Sequence, residues 1–261
     1  MALINCNFKS SVLGGNCQVN VILPQKKQGN DFKCKLVDNK YPVLWLLHGG
    51  SEDNTAWQRY TSIERYVEGL GVAVVMPAAQ MSLYSNMEYG DRYFDYIAEE
   101  LPQIMQEFFP ISERREDNYI AGLSMGGYGA MKIGLSKPEK YCAIGCFSAG
   151  NMALDDEFLN IRLARHSNSL KLAFGSLEKS KLEGSEHDLF ALADKVIMEG
   201  KIFPRIYHAV GTEDMALKQS QFTKDWFQNK PFDYTYNEFK GTHSWELWDE
   251  VIQKYLKWLI E

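Results

Sequence analysis

The pattern G-x-S-x-G at residues 122–126 constrains the fold of this chain more than any other stretch of its sequence. In this pattern a serine occupies a strained turn between a β-strand and an α-helix. Glycine is needed on both sides because the turn brings neighbouring backbone too close for a side chain. The apolar run at residues 119–121 predicts the strand, and residues 130–135 predict the helix. We therefore interpret Ser124 as a nucleophile at the tip of a sheet, with a glycine-rich packing turn as the alternative.

Strand-like and helix-like segments alternate along the rest of the chain. Continuous apolar runs such as residues 41–47 are typical of parallel strands that are covered on both faces. Strands are predicted at residues 18–23, 41–47, 72–76, 119–121, 143–148, 204–210 and 232–239. Helices are predicted at residues 62–70, 96–109, 130–135, 186–199, 215–229 and 244–259, with a kink or a restart of the helix at Pro102. The alternation predicts an α/β fold with a mostly parallel central sheet and helices on both faces.

One domain over residues 1–261 accounts for the length, because α/β folds of this size are often single units. Residues 151–184 fit no regular period, and we interpret them as a small lid or insertion within that domain. The formal charge of −6 disfavours nucleic acid and membrane surfaces as partners, since both favour clustered lysine and arginine. No run approaches transmembrane length and no signal peptide is evident, so we expect a cytoplasmic protein. Both a monomer and a homo-oligomer are compatible with the sequence.

The motifs for metals and for organic cofactors are missing from the sequence. The five cysteines include no C-x-x-C pair, and we interpret them as reduced thiols. No H-E-x-x-H motif and no cysteine–histidine cluster with ligand spacing occurs, so no metal is predicted. A P-loop and a dinucleotide-binding fingerprint are absent as well, and we predict no organic cofactor.

A serine nucleophile needs a general base, and the base needs a carboxylate that orients it. In α/β-hydrolases these groups follow the serine along the chain in the order acid, then histidine. Among the histidines after Ser124, His166 lies in a polar stretch, His187 near a helix start and His208 within an apolar strand. His243 lies between the last predicted strand and the last helix. That position is the carboxyl end of a strand, where α/β sheets bind ligands, so we predict His243 as the base.

Two neighbouring acids follow the strand at residues 204–210, namely Glu213 and Asp214. Asp214 lies further into the loop and can turn back toward His243. We therefore favour Asp214 as the orienting acid and interpret Glu213 as a solvated neighbour.

Two backbone N–H groups are expected to bind the negatively charged oxygen of the reaction intermediate. The first is the N–H of Met125, which directly follows the serine. The second is expected from the loop after residues 41–47, where we predict Gly50 because glycine lets a substrate approach the backbone. His48 in the same loop is interpreted as a residue that shapes the loop rather than as a second base.

Together these motifs resemble the esterase D group of α/β-hydrolases. The similar segments are residues 122–130, 47–50, 211–214, 241–245, 89–96, 174–175 and 184–189. Within the group, the likeness is greatest to bacterial tributyrin esterases and to cinnamoyl or feruloyl esterases. S-formylglutathione hydrolases and mycolyltransferases are more distant relatives on the same scaffold. The resemblance spans nearly the whole chain, and the motifs occur in the order of the family.

The resemblance implies a triad of Ser124, Asp214 and His243 that works without a metal or an organic cofactor. It implies a serine carboxylesterase that hydrolyses short-chain acyl or aryl-acyl esters, of the feruloyl or cinnamoyl type, through an acyl-enzyme. The expected partner is therefore a small ester. The alternatives are a thioesterase of the S-formylglutathione type, an acyltransferase, and a non-catalytic binding protein on the same scaffold. Leu83 departs from the family pattern, because a tryptophan is expected at this position.

Three aromatic residues are predicted to contact the substrate. Trp57 follows the loop that contains Gly50, and Tyr84 and Tyr89 lie in the connection formed by residues 80–95. Both segments are expected beside the serine at the carboxyl edge of the sheet. An aromatic rim would favour short acyl chains and flat aryl-acyl groups over long lipids. For each residue, packing in the protein core is the alternative.

Overall fold

The computed structural model describes residues 1–25, 32–154 and 168–261. Strands β1 to β8 are Ala2–Lys9, Asn16–Leu23, Val43–Leu47, Ala73–Pro77, Asn118–Leu123, Ala143–Phe147, Arg205–Gly211 and Tyr234–Phe239. They form one sheet in the order β1-β2-β4-β3-β5-β6-β7-β8. β2 pairs antiparallel with both of its neighbours, and every other pair is parallel. The predicted α/β fold with a mostly parallel sheet is therefore confirmed.

The burial of each strand follows from its place in the sheet. All residues of β3, β4 and β6 are buried, as expected for parallel strands with helices on both faces. Along β1, exposed and half-buried residues alternate. This alternation is typical of an antiparallel edge strand that has one face in water.

The helices of the described residues lie mostly where the sequence predicts them. Helices α1 to α9 are Ala56–Tyr60, Ile63–Val67, Tyr93–Asp95, Leu101–Phe108, Met125–Ser136, Lys179–Leu182, Leu189–Met198, Leu217–Phe227 and Trp245–Leu259. A π-helical segment, Tyr96–Glu100, joins α3 to α4, and a 3₁₀ turn covers Arg115–Asp117. Residues 168–174 are helical as well.

The predicted kink at Pro102 takes the form of that π-helical segment. Proline has no N–H group, so the carbonyl oxygen four residues earlier, on Ala98, loses its helical donor. The Lys140 side chain supplies the missing bond, because its Nζ donates to the Ala98 oxygen at 2.9 Å. The helix therefore changes its geometry at this point without leaving a buried carbonyl group unpaired.

Two apolar cores cover the two faces of the sheet. In β3, Trp45 belongs to the core that contains residues of α4, α5 and α7. Leu46, the next residue, belongs to the second core, together with residues of α2 and α9. Successive residues of a strand point to opposite faces, so helices lie on both sides of the sheet.

The carboxyl ends of β3, β5, β7 and β8 meet at one edge of this sheet, because these strands are parallel. The loop after β3, the turn after β5 and the loops after β7 and β8 therefore lie close together. Ligands of α/β sheets bind outside such an edge.

Candidate active site

Ser124 occupies the turn between β5 and α5. Its φ of 50° and ψ of −116° describe a backbone conformation that residues with a side chain rarely adopt. A Cβ atom on Gly122 would lie 2.5 Å from the carbonyl carbon of Gly126. A Cβ atom on Gly126 would lie 2.6 Å from the carbonyl oxygens of Leu47 and His48. Both glycines are therefore required by close backbone contacts, as the sequence predicts.

The structure places the His243 ring within hydrogen-bonding distance of both Ser124 and Asp214. His243 Nε2 lies 2.9 Å from Ser124 Oγ, and His243 Nδ1 lies 2.7 Å from Asp214 Oδ1. A carboxylate can only accept, so the ring proton belongs on Nδ1, and Nε2 can accept the serine proton. The imidazole ring also packs edge-on against Trp248, with 4.9 Å between the ring centroids.

Asp214 is buried and makes further hydrogen bonds that hold it in place. Its Oδ1 accepts the N–H of Ala216 at 2.7 Å in addition to the imidazole. Burial alone would raise the pKa of this carboxyl, but the hydrogen bond and the positive charge that His243 can carry outweigh burial and lower the pKa. Glu213 is exposed, and its N–H bonds to the Gly241 carbonyl. The acid beside His243 is thus Asp214 and not Glu213.

The two predicted N–H groups, on Gly50 and Met125, belong to residues that line a cavity together with Ser124. Within the described part of the chain, neither N–H group has a hydrogen-bond acceptor. Gly50 follows β3, and Met125 is the first residue of α5. Free donors beside a serine oxygen form a site that can bind a developing negative charge.

Residues 48–50, which we name the oxyanion loop, are held by side chains from other segments. The Ala79 N–H donates to His48 Nε2 at 2.9 Å, so the ring proton belongs on Nδ1, which bonds the Gly49 oxygen at 2.7 Å. Burial lowers the pKa of His48, which keeps this ring neutral. The Tyr84 hydroxyl donates to the His48 oxygen at 2.9 Å. His48 therefore shapes this loop and does not reach the serine as a second base.

The three aromatic residues predicted to contact the substrate do not line the cavity. Trp57 is 1% exposed, and its indole N–H donates to the Leu47 oxygen at 2.9 Å. Tyr84 is fully buried beneath the oxyanion loop. Tyr89 is 64% exposed at the surface. Trp57 and Tyr84 support the backbone around the oxyanion loop. Both residues therefore pack in the protein core, which was the alternative to substrate contact.

The cavity beside Ser124 is mainly apolar. It encloses about 560 Å³ of empty space, including the part that opens to solvent. Its lining consists of Gly50, Met81, Leu83, Ser124, Met125, Ser148, Met152, Ser169, Leu170, Met215, Ala216, Gln219 and His243. Four methionines contribute to these walls, and among the described residues no lysine, arginine or carboxylate does. Leu83, where the family resemblance led us to expect tryptophan, is part of the wall.

Several residues of this wall were not predicted from the sequence. Met152, Ser169 and Leu170 belong to the segment 151–184, which was interpreted as a lid or insertion. Residues 155–167 of that segment lie outside the described residues, and its role as a lid stays a prediction. Methionines carry no sequence signal that separates a cavity wall from an ordinary core.

The two other described histidines after Ser124, His187 and His208, do not reach the serine. His187 is buried, and its Nδ1 lies 3.1 Å from Lys132 Nζ. Burial and the lysine charge lower the pKa of His187 to about 3. His208 is fully buried within β7, as expected for a core histidine. His166 lies outside the described residues.

No group of three or more histidine, cysteine, aspartate or glutamate side chains in the described residues could hold a metal ion. None of their helices has the length and apolar character needed to cross a membrane.

Comparisons with known proteins place this chain among the esterases. The model of the family described as "Putative esterase" matches residues 10–259. The acetyl esterase of Caldicellulosiruptor saccharolyticus is 29% identical over 99% of this chain and 98% of its own length. Fluorophosphonate-binding serine hydrolase F of Staphylococcus aureus, solved with substrate bound, is 33% identical, with a TM-score of 0.88. That alignment covers 100% of this chain and 98% of the other. An S-formylglutathione hydrolase of the same organism, solved as the apoenzyme, is 33% identical over 100% and 99% of the two chains, with a TM-score of 0.86.

Proposed function

The chain belongs to the esterase family of α/β-hydrolases and is a carboxylic ester hydrolase, and from this premise we propose that Ser124, His243 and Asp214 are its catalytic triad. The observation that carries the proposal is the continuous set of hydrogen bonds from Ser124 Oγ through the imidazole to the buried carboxylate. Asp214 keeps the proton of the neutral ring on Nδ1 and stabilises the imidazolium that forms during the reaction.

The proposed reaction has two halves with the same geometry. His243 Nε2 takes the hydroxyl proton while Ser124 Oγ forms a bond to the acyl carbon of the ester. The carbonyl oxygen becomes negative and accepts hydrogen bonds from the N–H groups of Gly50 and Met125, each of which contributes about 3–4 kcal/mol. The bond to the alcohol oxygen then breaks, and the alcohol leaves with the proton from His243. Water repeats these steps on the acyl-enzyme and releases the acid.

The apolar walls of the cavity favour a substrate with a short, uncharged acyl group. Methionine side chains such as Met81 and Met152 are flexible and polarizable, so they adapt to aliphatic chains of slightly different shape. A charged acyl group would lose its hydration against these walls, and the described residues of the lining include no lysine, arginine or carboxylate to pair with it, which disfavours such a group. We therefore propose acetyl to butyryl esters, of the tributyrin type, as the best substrates and rank feruloyl-type esters below them.

A thioester hydrolase of the S-formylglutathione type is the second candidate. The similarity to the Staphylococcus aureus enzyme of that name supports it. A formyl group is small enough for the cavity, and a thioester reacts through the same acyl-enzyme. An acyltransferase would differ only in the molecule that accepts the acyl group from Ser124.

We also propose a cytoplasmic location and a reaction that needs no cofactor. All five cysteines are free thiols, which fits a reducing compartment. The proposed chemistry requires only the ester, water and the side chains of the triad.

A substrate panel with one inactive variant tests the proposal. The panel contains p-nitrophenyl esters from acetate to palmitate, methyl ferulate and S-formylglutathione, and kcat/KM is measured for each. We expect the highest value for acetate or butyrate, and a steady rise from butyrate to palmitate would contradict the proposed acyl site. Ser124→Ala should lower kcat by about 10⁴-fold or more. Ser136→Ala, at the far end of the same helix, is the matched control.

A covalent probe identifies the nucleophile directly. A fluorophosphonate should add one label, and peptide mass mapping should find it on Ser124. If Ser124→Ala keeps more than a tenth of the wild-type kcat with an unchanged circular dichroism spectrum, Ser124 is not the nucleophile.

A further inference from the structure

One carboxylate connects the loop that contains Gly50 to the loop that contains His243. Glu52 Oε2 accepts the N–H of Gly49 at 2.9 Å, and Glu52 Oε1 accepts the indole N–H of Trp245 at 2.8 Å. The carboxylate also packs against Gly49, where a Cβ atom would lie 3.0 Å from Glu52 Oε2. Both oxygens of this half-buried side chain are therefore engaged by N–H donors from two different segments.

We infer that Glu52 is a positioning residue that fixes the oxyanion loop relative to His243. This inference rests on the proposed function, because it assigns Glu52 a role in the same reaction. Glu52 touches neither Ser124 nor the cavity, and it acts through Gly49 and Trp245.

The direction of the Gly50 N–H depends on two successive peptide units. The Gly49–Gly50 peptide is planar and trans, so its N–H points away from its carbonyl oxygen. His48 Nδ1 donates to that oxygen, the Gly49 carbonyl, at 2.7 Å and so supplies one of the restraints on this unit. Glu52 binds the N–H of the preceding peptide unit. Without the carboxylate, the chain could rotate around Gly49, and the Gly50 N–H would lose its direction.

The other end of the carboxylate holds the segment that follows His243. Trp245 lies two residues after His243 and begins α9. Its ring contacts Trp57 at 5.2 Å and Trp248 at 5.3 Å between centroids, both at nearly right angles. Trp248 in turn contacts the His243 ring. A shift of Trp245 is therefore transmitted to the position of the base.

Two variants remove this connection in different ways. In Glu52→Gln the carboxamide has the same shape, but it can accept only one of the two bonds and turns an NH₂ group toward the other donor. Trp245→Phe removes the indole donor and leaves the charge of Glu52 in place. Asp53→Asn is the matched control, because it removes a neighbouring charge from an exposed carboxylate whose hydrogen bonds within the described part of the chain go to Thr55.

The readout separates positioning from folding. We measure kcat and KM for p-nitrophenyl butyrate per active site, titrated with fluorophosphonate, and Ki for the matching trifluoromethyl ketone. This ketone forms an adduct whose oxyanion needs the Gly50 and Met125 donors. Since a 1 Å displacement of reacting groups can cost about 100-fold, we expect kcat to fall about 10- to 100-fold in Glu52→Gln. Ki should rise by the same factor while KM stays within about twofold.

Each outcome of this experiment decides the inference. A smaller fall in kcat and a smaller rise in Ki for Trp245→Phe, with both values unchanged in Asp53→Asn, support positioning by hydrogen bonds. If Glu52→Gln does not fold, Trp245→Phe alone supplies the result. Values of kcat and Ki for Glu52→Gln that match those of Asp53→Asn overturn the inference. Failure of the wild-type protein to hydrolyse the ester or to accept the probe would instead reject the proposed function, before any variant is considered.

Discussion

Replacement of His208 by glutamine is expected to remove part of the acid sensitivity of the fold. His208 lies in β7 with no exposed surface. Its Nε2 donates to the Ala149 oxygen at 2.7 Å, and its Nδ1 accepts from the Tyr234 hydroxyl at 2.6 Å. Both ring nitrogens are satisfied in the neutral form, and burial lowers the pKa of the ring to about 4.

The size of the effect follows from the two pKa values. In the unfolded chain His208 binds a proton below its ordinary pKa of about 6.5, whereas in the folded protein it stays neutral down to about 4. Between these values the unfolded state binds more protons, so the free energy of unfolding decreases as the pH decreases. For this one residue the decrease is about 2 kcal/mol between pH 7 and pH 5, and about 3 kcal/mol between pH 7 and pH 4.

Urea unfolding at pH 7, 6, 5 and 4 measures this effect. Glutamine does not titrate and can keep one of the two hydrogen bonds, so His208→Gln should be about 1–2 kcal/mol less stable than the wild type at pH 7. The difference should shrink by about 2 kcal/mol at pH 5. Tyr234→Phe is the matched control, since it removes the other partner of one bond and keeps the titrating ring. Parallel stability curves for the wild type and His208→Gln would refute the reasoning.

Two further predictions concern the active site. Asp214→Asn should lower kcat by about 10³- to 10⁴-fold, because the His243 ring loses the acceptor that fixes its tautomer. Glu213→Gln changes an exposed side chain, and its kcat should stay near the wild-type value. Measurement of kcat for both variants tests this, and a larger loss in Glu213→Gln would reverse the assignment. Tyr84→Phe should lower the free energy of unfolding by about 1 kcal/mol, because the buried His48 oxygen loses its donor, and should leave KM for p-nitrophenyl butyrate unchanged. A raised KM would instead return Tyr84 to the role of a substrate contact.

Sequence patterns were sufficient for strands β2 to β8 and for the loops that contain Ser124, Asp214 and His243. The helix after the serine begins at Met125 rather than at residue 130. Close backbone packing requires glycines in the first turns of this helix, and these glycines interrupt the apolar pattern from which a helix is predicted. β1 was not predicted, because its extended conformation depends mainly on its pairing with β2. The positions of Asp214 and His243 follow from chain order, because parallel strands bring their carboxyl ends to one edge.

The aromatic residues show where sequence reasoning reaches its limit. A place in a loop at the carboxyl edge of the sheet predicts proximity to the serine but not the direction in which a side chain points. Trp57 and Tyr84 each have a polar atom that bonds a backbone carbonyl beneath the oxyanion loop, so burial satisfies them better than a cavity wall would. Glu52 was not predicted from the sequence, because it gains its partners through tertiary contacts.

The site is formed by loops at the ends of four strands, and this arrangement affects the order of events during folding. Ser124 and His243 are 119 residues apart in sequence, so their contact forms only after long stretches of chain have been brought together. Local helices form on a much faster timescale than such pairings. During refolding from urea, helical circular dichroism should therefore recover before fluorophosphonate labelling does. The reactivity of a single serine thus reports the completion of the last long-range step, which no measurement of average secondary structure can detect.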